Sequence, residues 1–89
     1  MASSIIYSAR FLKRAEKIPQ EIIDLATEKE KLFKKSPLHP SLRLHPLKGE
    51  LKGCWSLSVN KQYRIIFEYE ENGGIIFLSI GKHDIYKHL

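Results

Sequence analysis

The first third of the chain places apolar residues at helical spacing after a short β-type run. Residues 5–7 form that run, and Ser8 suits a helix N-cap because its hydroxyl can accept from a free N–H of the first turn. The helix predicted next has an apolar face made of Phe11, Leu12, Ala15 and Ile18. Pro19 ends that helix and suits the first position of another over residues 20–35, so the pattern predicts an αα-hairpin.

Prolines interrupt the chain after the second predicted helix. Each proline lacks an N–H and pushes its predecessor toward extended geometry, so residues 36–46 are predicted to be a loop without regular structure. Loops of this length in a compact domain tend to be functional. The loop carries three candidate polar side chains, His39, Arg43 and His45.

After Gly53 the apolar period changes from helical spacing to two. The first alternating run places Trp55, Leu57 and Val59 on one side and Cys54, Ser56 and Ser58 on the other. Residues 60–62 turn, and a second run follows in which Arg64 alternates with apolar residues. Residues 71–74 supply the positive φ angles of a tight turn, and residues 75–80 are apolar on both faces, as in a central strand.

The order β, α, α, β, β, β predicts a single α+β domain over residues 1–89. Helices that precede a strand meander favour two layers, with the helical hairpin on one face of a mostly antiparallel four-stranded sheet. The second face of the last strand needs a cover, which either the C-terminal tail or a partner could provide.

Composition supports this reading and narrows the class of protein. A chain of 89 residues has room for one core, and 43% hydrophobic with 28% charged residues is typical of a globular domain. The single cysteine, Cys54, cannot form an internal disulfide, which fits a reducing compartment. The segment of residues 1–7 is too short, and is followed too closely by charged residues, to be a signal peptide. No apolar run reaches membrane-spanning length. We therefore expect a cytoplasmic protein without a membrane partner.

Positive charge is concentrated in the middle of the chain. The net charge is +5, and between residues 34 and 64 the only acid is Glu50, against the bases Lys34, Lys35, Arg43, Lys48, Lys52, Lys61 and Arg64. Such a field of one sign is typical of surfaces that bind phosphate backbones. The helical third mixes its charges and is interpreted as a solvated helix face.

Three segments in this order resemble the RelE/ParE superfamily of toxins from type II toxin–antitoxin systems. They are His-Pro-Leu-Lys-Gly with Leu-Lys-Gly-Cys-Trp-Ser from residue 45, Tyr-Arg-Ile-Ile-Phe from residue 63, and Ile-Gly-Lys-His-Asp-Ile-Tyr from residue 80. The resemblance implies a RelE-like fold and a small acidic antitoxin that forms an oligomer with the toxin. In the RelE-like branch it implies a cofactor-free mRNA endoribonuclease that acts with the ribosome. Two alternatives are a ParE-like gyrase inhibitor without enzymatic activity and an inactive antitoxin-binding partner or co-repressor.

The resemblance to YafQ-like members of the RNase branch also implies site residues. His45 and His83 match the two histidines that take part in cleavage, Arg64 matches the arginine of the second meander strand, and Tyr86 is the C-terminal aromatic. Ser56 and Ser58 stand where another histidine and an acid would be expected. A second C-terminal arginine is absent, with Lys82 or Lys87 as stand-ins.

The chemistry of metal-free RNA cleavage suits these residue types. A base takes the proton of the 2′-hydroxyl, cations stabilise the charged transition state, and an acid protonates the 5′-oxygen leaving group; imidazoles suit both proton roles and a guanidinium suits the phosphate. We hypothesise that His45 and His83 share the proton roles and that Arg64 holds the phosphate. The backbone would be guided by Lys48, Lys52 and Arg43, and a base would stack on Tyr86 or Trp55.

Each candidate has a structural alternative. His45 before a proline could be a turn residue, Arg64 could pair with Glu50 or Glu68, and the two lysines could lie on a solvated loop. Trp55 shares its face with core residues, and nothing in the sequence indicates an activated thiol at Cys54. No histidine pair has zinc spacing, and His39 and His88 have no predicted role. The antitoxin is expected to lay a helix or strand along exposed apolar residues of the sheet and helices. The motivating feature is the segment 75–80, which is apolar on both faces.

Overall fold

The computed structural model of the protein describes residues 4–82. The chain there forms two helices and five strands, with two short 3-10 turns between them. The helices are α1 (Ala9–Ala15) and α2 (Gln20–Lys35), and the strands are β1 (Ile5–Tyr7), β2 (His45–Pro46), β3 (Trp55–Ser58), β4 (Tyr63–Tyr69) and β5 (Ile75–Lys82). Within these residues no helix is both long enough and apolar enough to cross a membrane.

The strands form one mixed sheet in the order β1-β5-β4-β3-β2. β1 pairs in parallel with β5, and the other neighbours are antiparallel. The predicted α+β architecture is confirmed, including a central position for β5, which lies between β1 and β4. The predicted strand number was wrong, because β2 adds a fifth strand at the edge.

The loop predicted over residues 36–46 is more regular than expected. Pro40 is the first residue of a 3-10 turn that ends at Leu42. The N–H of a first helical residue has no partner within the turn, so proline loses no hydrogen bond there. Pro46 lies in β2, an edge strand, and edges tolerate a residue that cannot donate to the ladder. Prolines therefore shaped this segment without preventing local structure.

The helical hairpin follows the sequence closely. Ser8 caps α1, since its hydroxyl accepts from the N–H of Phe11 at 3.0 Å, as predicted. The Ser8 hydroxyl in turn donates to the carbonyl of Leu78 at 2.9 Å, which connects the start of α1 to β5. Pro19 takes the N-cap position of α2 rather than the first helical position.

The core lies between the helices and one face of the sheet, and aromatic rings fill its centre. Phe33 of α2 is fully buried, with its ring centroid 5.1 Å from that of Phe67 on β4. Phe77 of β5 contacts both Phe67 and Phe11 of α1, with centroids 6.2 Å and 5.5 Å away. Aromatic pairs at these distances add to the free energy gained by burial alone.

The opposite face of the sheet is also buried over β3, β4 and β5. Ser56 pairs with Ile66, which pairs with Ser79, and all three side chains are fully buried. A β-bulge after Ile66 shifts the register between β4 and β5 at this point. Two buried serines beside one isoleucine give this face a polar character that the helix side lacks.

Candidate nucleic-acid interface

His45 and Arg64 lie on the same face of the sheet, the one opposite the helices. His45 pairs with Ser56 and Arg64 pairs with Ser58, and both serines point to that face. Strand spacing and residue rise together separate the two Cα atoms by about 12 Å. Two long side chains at this separation can reach groups of one bound nucleotide strand.

The β3–β4 turn holds the Arg64 guanidinium. Its Nη1 donates to the carbonyl of Asn60 at 2.6 Å and to that of Tyr63 at 3.1 Å, and it lies 3.4 Å from the Ser58 hydroxyl oxygen. The turn itself is closed by the Asn60 side chain, whose Oδ1 accepts from the N–H groups of Gln62 and Tyr63, both at 2.8 Å. The guanidinium therefore points toward the turn and away from the level of His45.

The structural alternative of a salt bridge at Arg64 is wrong for the part of the chain that the structure describes. The oxygen atoms that its Nη1 contacts there belong to the Asn60 and Tyr63 carbonyls and the Ser58 hydroxyl, and none belongs to a carboxylate. Arg64 is bound by carbonyl oxygens, which sequence reasoning missed. The residue that could have indicated this turn is Asn60, because asparagine favours turns in which its side chain accepts from following N–H groups.

The predicted basic residues lie at two opposite ends of the sheet. Arg43 lies just before β2, at the end where the β3–β4 turn and Arg64 are found. Lys48 and Lys52 flank the second 3-10 turn, in the β2–β3 connection at the other end, and both are exposed. The structure thus groups Arg43 with Arg64 and separates them from the two lysines.

Trp55 lies on the helix side of the sheet. Its ring is partly buried against the core and meets Tyr69 edge-on, with centroids 5.6 Å apart. The core interpretation of Trp55 therefore fits the structure better than a contact with RNA. Burial raises the pKa of the neighbouring Tyr69 phenol above its ordinary value.

The two described histidines make different local contacts. His45 is exposed, and its Nδ1 lies 3.1 Å from the carbonyl oxygen of Arg43. Since a carbonyl only accepts, this hydrogen bond needs the proton on Nδ1 and leaves Nε2 of the neutral ring as an acceptor. His39 instead caps the first 3-10 turn, where its Nδ1 accepts from the N–H of Ser41 at 3.2 Å. His83, Tyr86, Lys87 and His88 lie outside the described residues.

Neither an activated thiol nor a metal-holding cluster is found among the described residues of this region. Burial, and secondly the charge of Glu68, raises the pKa of the Cys54 thiol, which keeps it protonated and poorly nucleophilic. Within residues 4–82 no three His, Cys, Asp or Glu side chains are grouped so that they could hold a metal ion. The chemistry available on the described part of this face is that of an imidazole, a guanidinium, hydroxyl groups and the carboxylate of Glu68, which alternation along β4 places on the face of Arg64.

Comparisons with known proteins identify the family. Residues 6–83 match the family described as the RelE-like toxin of the type II toxin–antitoxin system HigB. Toxin HigB-1 of Vibrio cholerae is 36% identical over 63 residues, which cover 64% of this chain and 66%, just under two thirds, of that relative.

Solved structures show the same fold. The crystal structure of YafQ from Escherichia coli strain BL21(DE3) superposes with a TM-score of 0.78 over 97% of this chain and 98% of that one, at 19% identity. The E. coli DinJ-YafQ toxin–antitoxin complex gives a TM-score of 0.77 over 96% of this chain and 97% of that one, at 20% identity. On the family match over residues 6–83, the chain belongs to the HigB family of RelE-like toxins of type II toxin–antitoxin systems.

Proposed function

We propose that this toxin is a metal-independent endoribonuclease that cuts mRNA on the ribosome. The observation that carries the proposal is the common face of His45 and Arg64, on strands β2 and β4, opposite the helical layer. That face is flanked by exposed cations and offers an imidazole and a guanidinium to the same strand of RNA. Family membership supports the same class of activity.

The proposed reaction is attack of a 2′-oxygen on the adjacent phosphorus. The 2′-hydroxyl proton passes to a base, a bond forms from O2′ to phosphorus, and the bond to O5′ breaks as an acid protonates that oxygen. The products are a 2′,3′-cyclic phosphate and a free 5′-hydroxyl. His45 is the proposed base, since the contact of Nδ1 with the Arg43 carbonyl leaves Nε2 to accept a proton. His83 is then the acid.

Arg64 is the proposed phosphate-binding residue. A guanidinium carries five N–H donors on a rigid fork. The carbonyl contacts of Nη1 fix its position, and Nε and Nη2 are the groups proposed to donate to a phosphate. Stabilising the charge that develops on the phosphate is the largest contribution expected from a single group. Lys48 and Lys52 guide the strand from the other end of the sheet, and Tyr86 stacks a base.

The proposed partner in the resting state is a small acidic antitoxin. The sequence favoured contact along residues 75–80, but β5 is paired on both edges, and Ile75, Phe77 and Ile80 are buried. Ile6 and Leu12 are more than half exposed instead, on the edge strand and on α1. The antitoxin is therefore expected to cover the β1–α1 edge rather than the length of β5.

Primer extension on mRNA in a reconstituted translation reaction tests the proposed activity. Wild type should create new 5′ ends within the ribosomal A site, whereas Arg64→Ala and His83→Gln should create none. Lys31→Ala, an exposed change on α2, is the control and should cleave like wild type. Intact mRNA with folded wild-type protein would contradict the proposal, and a gyrase supercoiling assay would then test the ParE-like alternative.

A further inference from the structure

A cleft lies between α2, the first 3-10 turn and the β3–β4 turn, at the end of the sheet where Arg64 is found. We name it the cation cleft, since three of its lining side chains are bases. Its volume is about 220 Å³. The lining residues are Lys29, Ser41, Arg43, Ser58, Val59, Asn60 and Lys61.

The charges of the cation cleft have one sign. Lys29 comes from α2, Arg43 follows the 3-10 turn, and Lys61 lies in the hairpin turn, while no carboxylate is among the described lining residues. Within residues 4–82 none of these three cations forms a salt bridge. The Lys29 ammonium instead donates to the hydroxyl of Ser41 at 3.2 Å. Like charges brought together from three elements repel one another, and a bound anion relieves that repulsion.

The backbone at Arg43 is a second, independent observation. Arg43 has φ +45°, and among the described residues it is the one non-glycine residue with a positive φ. A left-handed arginine is costly, whereas glycine or asparagine would fit there easily. Backbone strain of this kind is concentrated where a protein positions a functional side chain. The strained position brings a guanidinium to the cleft.

The size and neighbours of the cation cleft indicate the ligand. Pockets that bury drug-sized molecules enclose about 300–1,000 Å³, so this smaller cleft suits a single anionic group of a larger ligand. Two residues that line the cleft also hold Arg64, because Arg64 Nη1 contacts the Asn60 carbonyl and the Ser58 hydroxyl oxygen. A strand held at Arg64 can therefore continue into the cleft.

We propose that the cation cleft binds a phosphodiester group of the RNA strand, adjacent to the phosphate held at Arg64. The choice of RNA rests on the proposed function; the choice of a phosphate group rests on the cleft itself. Lys29 and Lys61 are the residues assigned to it in addition to Arg43. The sequence did not indicate Lys29, because α2 carries charges of both signs. Its position in the helix alone does not show that its side chain reaches the first 3-10 turn.

Binding to an uncleavable strand tests the cleft without requiring catalysis. The probe is a fluorescein-labelled 2′-O-methyl RNA oligonucleotide, which lacks the attacking hydroxyl, and the readout is fluorescence anisotropy at several salt concentrations. The cleft variant is the double substitution Lys29→Gln with Lys61→Gln. The matched control is Lys13→Gln with Lys31→Gln, which removes the same charge from exposed positions outside the cleft. Thermal unfolding checks that both variants are folded.

The cleft variant should bind the oligonucleotide about tenfold more weakly than the control variant. Loss of one phosphate contact should also lower the slope of log Kd against log salt by about 0.7, the value for a single strand. Equal weakening in the two variants would overturn the proposal, since only total charge would then matter. Displacement of the oligonucleotide by inorganic phosphate at constant ionic strength would overturn it too, by identifying a free ion as the ligand.

The outcome is separable from that of the cleavage assay. Selective loss of binding together with intact mRNA would support the cleft and contradict the endoribonuclease. Cleavage by wild type together with equal binding of the two variants would support the endoribonuclease and place its strand outside the cleft.

Discussion

The two faces of the sheet are built differently. On the helix side, burial and apolar character coincide, as in Leu57, Ile65 and Phe77, none of which is more than 1% exposed. On the opposite side the buried residues include Ser56, Ser58 and Ser79. Apolar side chains need only fill space, whereas each buried hydroxyl needs a hydrogen-bond partner. The effect of a substitution on the helix side can therefore be predicted from packing. On the opposite side it depends on the hydrogen bonds of each buried hydroxyl group.

The largest effect on stability is expected on the helix side. Phe33→Ala removes a fully buried ring from contact with Phe67 and should lower the free energy of unfolding by about 3–5 kcal/mol. Leu38→Ala, at a side chain that is 84% exposed, should change it by no more than about 0.5 kcal/mol. Urea denaturation measures both. Similar losses in the two variants would contradict the position of the core.

On the opposite face the largest effect is expected at Arg64. Arg64→Lys keeps the charge but cannot reproduce the contacts with the carbonyls of Asn60 and Tyr63, so unfolding should become easier by about 1–2 kcal/mol. Cleavage should fall by about 100-fold, because a single ammonium cannot present a planar fork to the phosphate. A lysine variant with wild-type cleavage would show that charge alone is needed. Single-turnover cleavage and urea denaturation provide the two measurements.

The sequence predicted the helix side well and the opposite side only in part. When a single face is buried, the helical spacing from Phe11 to Phe33 and the alternation around Phe67 each indicate which side chains point to the core. β2 was missed because two residues, one of them Pro46, carry no period. Its pairing with β3 fixes which end of the sheet each basic side chain occupies. The separation of Arg43 from Lys48 could not be predicted without it.

Side-chain direction was the other missing information. Alternation assigned Arg64 to the correct face, but it cannot indicate which of several neighbours a flexible guanidinium contacts. A phosphate was the expected partner and a carboxylate the structural alternative, whereas in the folded chain Nη1 of Arg64 contacts the carbonyls of the turn. Trp55 shows the converse, since a residue whose face was predicted correctly was still assigned an RNA contact. Its edge contact with Tyr69 needed the strand register to be seen.

Two serines on the opposite face should respond with opposite signs. The Ser79 hydroxyl oxygen is buried and has no hydrogen-bond partner within residues 4–82, so Ser79→Ala should raise the free energy of unfolding by about 1 kcal/mol. The Ser58 hydroxyl donates to the Asn60 carbonyl at 2.8 Å, so Ser58→Ala should lower it by about 1 kcal/mol. Urea denaturation of both variants measures the difference. Losses of equal size would show that the Ser79 hydroxyl is satisfied.

The smallest effect is expected at the edge of the helix side, where Tyr7 of β1 donates its phenol proton to the Glu30 carboxylate of α2. Burial first, and then the hydrogen bond and charge of Glu30, raise the pKa of Tyr7 from 10.0 to about 12. Because the folded pKa is above the unfolded one, this contribution to stability is complete below pH 10 and is lost as the pH rises toward 12. Tyr7→Phe cannot ionise and lacks the contribution throughout. The difference in urea midpoint between wild type and Tyr7→Phe should therefore narrow over that range, and a difference independent of pH would show that the phenol is not held by Glu30.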